Sequence, residues 1–126
     1  MNNPNPRTTW ESVTAAERIA RASMDQYRDD IIQPLYQASE LGSVTKQDVL
    51  QAERGQEPLT LAHMQTVETV IMEPAPDLAS VLAKLELGLD DGAFDRFDND
   101  AGLRVLIDDI RRIANVGGGH ECKSAN

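Results

Sequence analysis

The sequence predicts an all-α fold of four or five helices, with a long, proline-kinked N-terminal helix packed against shorter ones. Three observations lead there. Apolar residues recur at steps of three, four and seven and nowhere alternate over a useful length. Aromatic residues are only 4% of the chain, so the core must come from Leu, Ile, Val, Met and Ala, a composition suited to helices rather than to a sandwich or barrel. Caps and prolines punctuate the chain, and no repeat at a fixed period competes with that division.

Residues 1–7, MNNPNPR, carry no apolar side chain after Met1, so ordering them would bury too little to offset the entropy lost, and a flexible arm is expected. Thr8 and Glu11 have capping-box spacing and should open a helix. Trp10, Val13, Ala20, Met24, Tyr27, Ile31, Leu35, Ala38 and Leu41 follow along one stripe, with Gly42 as the natural residue after the helix. Pro34 lacks a donor and presses on the carbonyl of Asp30, which predicts a kink. A straight helix of this length would reach roughly 45–50 Å, beyond the ~30–35 Å width of a compact domain this size, so the kink folds it back or the helix needs a partner.

Thr45, with Asp48 three residues on, caps a short helix or connector that Gly55 to Pro58 should break. Thr60 then caps a helix facing Leu61, Met64, Val67, Val70 and Ile71 inward, up to Pro74 and Pro76. Asp77 caps the next, whose Leu78, Val81, Leu82, Leu85 and Leu89 make the cleanest amphipathic pattern in the chain. One of Asp98, Asn99 and Asp100 opens the last helix, which buries Leu103, Leu106, Ile107, Ile110, Ile113 and Ala114 and stops at Gly117 to Gly119. Residues 8–116 are read as one helical domain and 117–126 as a disordered tail.

The stretch Pro74-Ala75-Pro76-Asp77-Leu78, followed by Lys84 within an apolar helix, resembles a class of small bacterial helical proteins associated with prophages and mobile elements. The resemblance covers roughly Trp10 to Ala114. It implies the same long first helix, acidic loop and closing helix with an Arg pair, and no activity is attached to that class. The stretch VTKQDVLQAERG departs from its pattern.

The segment LDDGAFDRFDNDAG, Leu89 to Gly102, poses a choice between a metal site and a crowded turn. An EF-hand loop needs oxygen ligands at positions 1, 3, 5 and 12 and glycine at 6. Counted from Asp98, position 5 is Gly102 and position 6 is Leu103; counted from Asp95, position 3 is Phe97 and position 12 is Leu106. Both registers fail. The segment reads instead as a helix–loop–helix join, with Gly92 closing one helix, the later Asp and Asn residues capping the next, and Phe94 and Phe97 folding over the helix ends.

His120 and Cys122 leave zinc short of ligands, with His63 the other imidazole in the chain. Asp29/Asp30, Asp90/Asp91 and Asp108/Asp109 are adjacent pairs whose side chains diverge by about 100° and read as solvated faces. No Ser-His-Asp order or phosphate-cradling loop is present. The stretch QAERGQEPLTLAHMQTV is similar to the end of phage-repressor helix-turn-helix domains, but the partner helix is missing and the net charge of −9 has the wrong sign for nucleic acid.

Together these features predict a non-enzymatic helical interaction or accessory protein, without metal or cofactor. Self-association as a dimer is expected through Trp10, Val13, Ala20, Met24 and Tyr27, since the first stripe exceeds what the shorter helices cover. The alternative is an acidic inhibitor or regulator that occupies a basic site on a host protein. One cysteine, no cleavable leader and no membrane-length apolar run point to the cytoplasm, with neither nucleic acid nor membrane as partner.

Overall fold

The computed structural model describes residues 6–96 and 101–125. Every element is helical: α1 (Pro6–Tyr27), a π-helical turn (Arg28–Ile32), α2 (Gln33–Glu40), α3 (Lys46–Met72), α4 (Leu78–Asp91), the single turn α5 (Ala93–Arg96) and α6 (Ala101–Ala125). Among the described residues there is no strand. Two compact units form, one from Met1–Thr14 with Val67–Asn126, the other from Ala15–Thr66.

The first helix starts at Pro6, two residues before the expected Thr8 cap. Proline suits a first turn, where its missing N–H has no partner to lose. The kink expected from Pro34 takes the form of the π-helical turn just ahead of it. The Gln33 amide donates to the Arg28 carbonyl five residues back, so the helix takes in one extra residue before the proline ring arrives. That residue shifts the phase of the stripe: Ile32 is buried and Ile31 is exposed, the reverse of the expectation. The helix ends as predicted at Gly42, with φ of 74°. The Gly42 amide donates to Ser39 and the Ser43 amide to Ala38, which satisfies the last carbonyls.

Thr45 and Asp48 form the expected reciprocal cap: the Asp48 amide donates to Thr45 Oγ1 at 3.1 Å and the Thr45 amide to Asp48 Oδ2 at 3.0 Å. The expected break at Gly55 to Pro58 is absent, and α3 runs unbroken with Pro58 inside it, so Thr60 caps nothing. Gly55 has a packing role. Tyr27 of α1 donates its hydroxyl to the Ala52 carbonyl at 2.8 Å, and a Cβ on Gly55 would lie 2.3 Å from that hydroxyl oxygen. Tyr36 of α2 reaches Glu53 of α3 at 2.7 Å. These bonds join the elements of the Ala15–Thr66 unit.

In the other unit, Asp77 caps α4 by accepting from the Ser80 amide at 2.8 Å and the Ser80 hydroxyl at 2.7 Å, and Arg7 pairs with the same carboxylate. Gly92 closes α4 in the left-handed region. The expected caps at Asp98, Asn99 and Asp100, and the plug at Phe97, lie outside the described residues. Phe94 does fold back, packing against both apolar clusters of this unit: Val67, Ile71 and Ala93, and Ala75, Val81 and Leu106. Gly88 admits the Phe94 ring, which would sit 2.4 Å from a Cβ there. α6 continues past Gly117–Gly119 to Ala125, because glycine weakens a helix by about 1 kcal/mol without removing a donor.

The inward faces of α4 and α6 differ from the expectation. Leu82 is 56% exposed and Ile107 47%, and Leu78, Leu89, Leu103 and Ile110 are exposed with them. The buried positions are Ser80, Val81, Lys84 and Gly88 on α4 and, among the described side chains, Gly102, Leu106 and Asp109 on α6. On α3, Val67, Val70 and Ile71 are buried as predicted, with His63 completing the stripe in place of the exposed Leu61.

Two outcomes follow from these contacts. Gly88→Ala should destabilise the fold by about 1–3 kcal/mol despite alanine's better helix propensity, since the Phe94 ring must move; a urea melt as stable as wild type would refute the contact. The hydrogen bonds from Ser80 and the pairing with Arg7 hold the Asp77 carboxyl down to about 2, from the ordinary 3.8. A depressed carboxylate stabilises above its unfolded value and loses that contribution as pH falls from 3.8 towards 2. Asp77→Ala should therefore cost about 1 kcal/mol at neutral pH and flatten the melting temperature across that acid window.

Candidate functional site

Pro74 and Pro76 carry no N–H, so the Pro74-Ala75-Pro76 stretch of the junction between α3 and α4 has one backbone donor, the Ala75 amide. Asp109 of α6 takes it, accepting at Oδ1 over 3.0 Å. The other oxygen, Oδ2, accepts from Lys84 Nζ at 2.6 Å, and Arg112 bonds both Asp109 Oδ1 and the Ala75 carbonyl. Lys84 is 0% and Asp109 1% exposed. Trp10, itself buried, offers its ring 5.8 Å from Lys84 Nζ, within cation–π range. One carboxylate thus ties the PAPDL turn, α4 and α6 together.

Burial pushes the Lys84 ammonium below its ordinary 10.5, and the Asp109 carboxylate opposes that shift. A lysine with a lowered pKa beside a carboxylate has the makings of a nucleophile or base, but with no surface exposed it cannot meet a substrate. The cluster acts as structure.

A second buried polar group lies in the Ala15–Thr66 unit. Glu17 Oε2 accepts from Arg21 Nε at 2.9 Å, and His63 Nε2 lies 2.8 Å from the same oxygen. Glu17 and His63 are both buried, so this group also joins helices. Sequence reasoning missed both clusters. Asp109 was read with Asp108 as solvated, yet only Asp108 is exposed. The signal for His63 was present, since it sits four residues before Val67 and seven before Val70, on the face of α3 that is buried.

The residues expected to mediate self-association, Trp10, Val13, Ala20, Met24 and Tyr27, lie along α1. Trp10 is buried against Lys84, and Val13, Ala20, Met24 and Tyr27 are half-buried, with the Tyr27 hydroxyl used by Ala52. The structure leaves a different apolar surface open. At about 100° per residue, Leu78, Leu82, Leu85 and Leu89 span roughly 60° of α4, and Leu103, Ile107 and Ile110 a similar arc of α6. All but the half-buried Leu85 are exposed.

On each helix this seam lies roughly 100° to the same side of the buried positions. Arg112, a turn beyond Asp109, reaches back to Ala75 ahead of α4, while Lys84 further along α4 meets Asp109.

Among the described residues no group of three His, Cys, Asp or Glu could hold a metal ion, and no helix is long and apolar enough to cross a membrane. The side chains of His120 and Cys122 lie outside the described ones. An open depression of about 350 Å³ is lined by Glu53, Gln56, Glu57, Thr60 and Leu61.

If Asp109 is the hub of its cluster, Asp109→Ala should cost about 3–5 kcal/mol by leaving Lys84 buried and unpaired. Lys84→Met should cost less, because Arg112 and the Ala75 amide still hold the carboxylate. Urea denaturation that gave the opposite order would assign the central role to Lys84. No protein-family model, no curated protein and no solved structure matches the chain.

Proposed function

We propose that this chain is a helical interaction protein that acts by contact with another protein surface and catalyses no reaction of its own. The observation that carries this reading is the exposed apolar seam on each of α4 and α6. Single exposed leucines are ordinary on soluble proteins. Six large aliphatic side chains exposed as a seam on each of two helices are not, and exposed apolar surface of that kind is typical of a contact site. Two groups with the chemistry for proton transfer, Lys84–Asp109 and Glu17–His63, are sealed inside, which supports a binding role over a catalytic one. Association is expected on these seams.

Replacing Leu82 or Ile107 by the photo-reactive residue p-benzoylphenylalanine should give protein adducts on illumination in cells. The same residue at the exposed polar position Gln51 should give none. Equal labelling from all three positions would remove the basis for contact sites on α4 and α6.

A further inference from the structure

Every charge that α4 exposes is negative. Its one cation, Lys84, is sealed against Asp109, which leaves Glu86 and Asp90 on the surface of the helix and Asp91 half-buried beyond them. At about 100° per residue, Ala79, Ala83, Glu86 and Asp90 form a second row beside the leucine seam, on the side away from Lys84. All four are exposed. The first half of the helix therefore presents leucines with alanines, and the second half presents Leu89 with carboxylates. Both halves are unfavourable in water alone. The leucines hold aliphatic surface against solvent. Glu86 and Asp90, four residues apart, repel each other, and Asp90 stands in the last turn, where the helix dipole is already negative.

Resting on the reading of α4 as a contact site, we propose that its occupant is a basic amphipathic helix of another protein, laid along the leucine seam with lysine or arginine against Glu86 and Asp90. Such a helix answers both defects of the surface at once. Aliphatic anchors at i, i+3 or i+4 and i+7 match the seam of Leu78, Leu82, Leu85 and Leu89, the usual way in which one helix reads another. Cations beside those anchors meet the two carboxylates and the negative end of the helix, so the charges add register and specificity to what the leucines bind. Ala79 and Ala83 hold the rest of the second row low, and the axes can approach closely where no charge is needed. The net charge of −9 favours this partner over a second copy, because two such chains repel while a cationic segment is drawn in.

Fluorescence anisotropy tests the proposal with a labelled helical peptide of about 15 residues, leucines along one stripe and lysines on its flanks, titrated with the full chain. Wild type should bind in the micromolar range and more weakly in high salt. Glu86→Gln with Asp90→Asn should raise the dissociation constant at least about tenfold and reduce its salt dependence. Leu82→Gln with Leu89→Gln should raise it by a similar factor, with circular dichroism confirming helicity; if that variant loses helicity, Leu82→Ala alone serves. Glu40→Gln with Glu57→Gln removes the same charge from exposed positions on other helices and should leave the constant within about twofold of wild type. A peptide of the same composition with its leucines scattered should bind at least about tenfold more weakly.

Equal losses from the Glu86/Asp90 and Glu40/Glu57 pairs, or equal binding of the scattered peptide, would reduce the effect to general attraction between a cation and an acidic protein and overturn the proposal. Sequencing the adducts captured at position 82 should identify a segment with net positive charge and a helical apolar stripe. Adducts with an acidic or neutral segment, or with a second copy of this chain, would overturn the basic helix as occupant while leaving α4 standing as a contact site. No adduct at position 82 would overturn both.

Discussion

The bond between Lys84 and Asp109 is the constraint on which the described fold of the Val67–Asn126 unit depends. Removing two charges from water costs several kcal/mol per ion, and close contact offsets it only when the remaining lone pairs are also satisfied. Asp109 meets that condition through the Ala75 amide and Arg112. The two prolines around Ala75 matter here: they end α3, leave one amide to place, and so fix where the following helix can begin relative to α6. The tripeptide is both a helix stop and a hydrogen-bonding adaptor.

This choice of core has a consequence at the surface. With a lysine, a serine and a glycine filling the inner face of α4, and an aspartate at the centre of the inner face of α6, much of the aliphatic content of both helices is displaced outward. A purely apolar core would have drawn Leu82 and Ile107 inward. The ion pair instead reserves the interior for a bond with one geometry and leaves both seams exposed. The Ala15–Thr66 unit uses a comparable device, with Glu17 and His63 buried against each other between α1 and α3.

How much of this was legible in the chain divides along the range of the forces involved. The helical class, the reciprocal cap at Thr45 and Asp48, the stop at Pro74, the cap at Asp77 and the left-handed Gly42 and Gly92 were all determined by the sequence, because each acts within a few residues of itself. The deformation near Pro34 was foreseeable for the same reason, a missing donor and a ring against a carbonyl. Local signals also misled where a distant contact outweighed them. Gly55 and Pro58 read as a break, but Gly55 is the space through which Tyr27 reaches Ala52, 25 residues away.

The faces of α4 and α6 were decided only by the tertiary structure. Periodicity ranks leucine above lysine for burial, and that ranking holds while a charge has no partner. Lys84 and Asp109 stand 25 residues apart, and nothing in the local pattern of either announces the other. Once the chain brings them together, pairing and three further bonds to the carboxylate reverse the preference. The apolar stripes that the sequence displays are real, but which side of them faces the core is a property of the paired charges, and those exist as a pair only after folding.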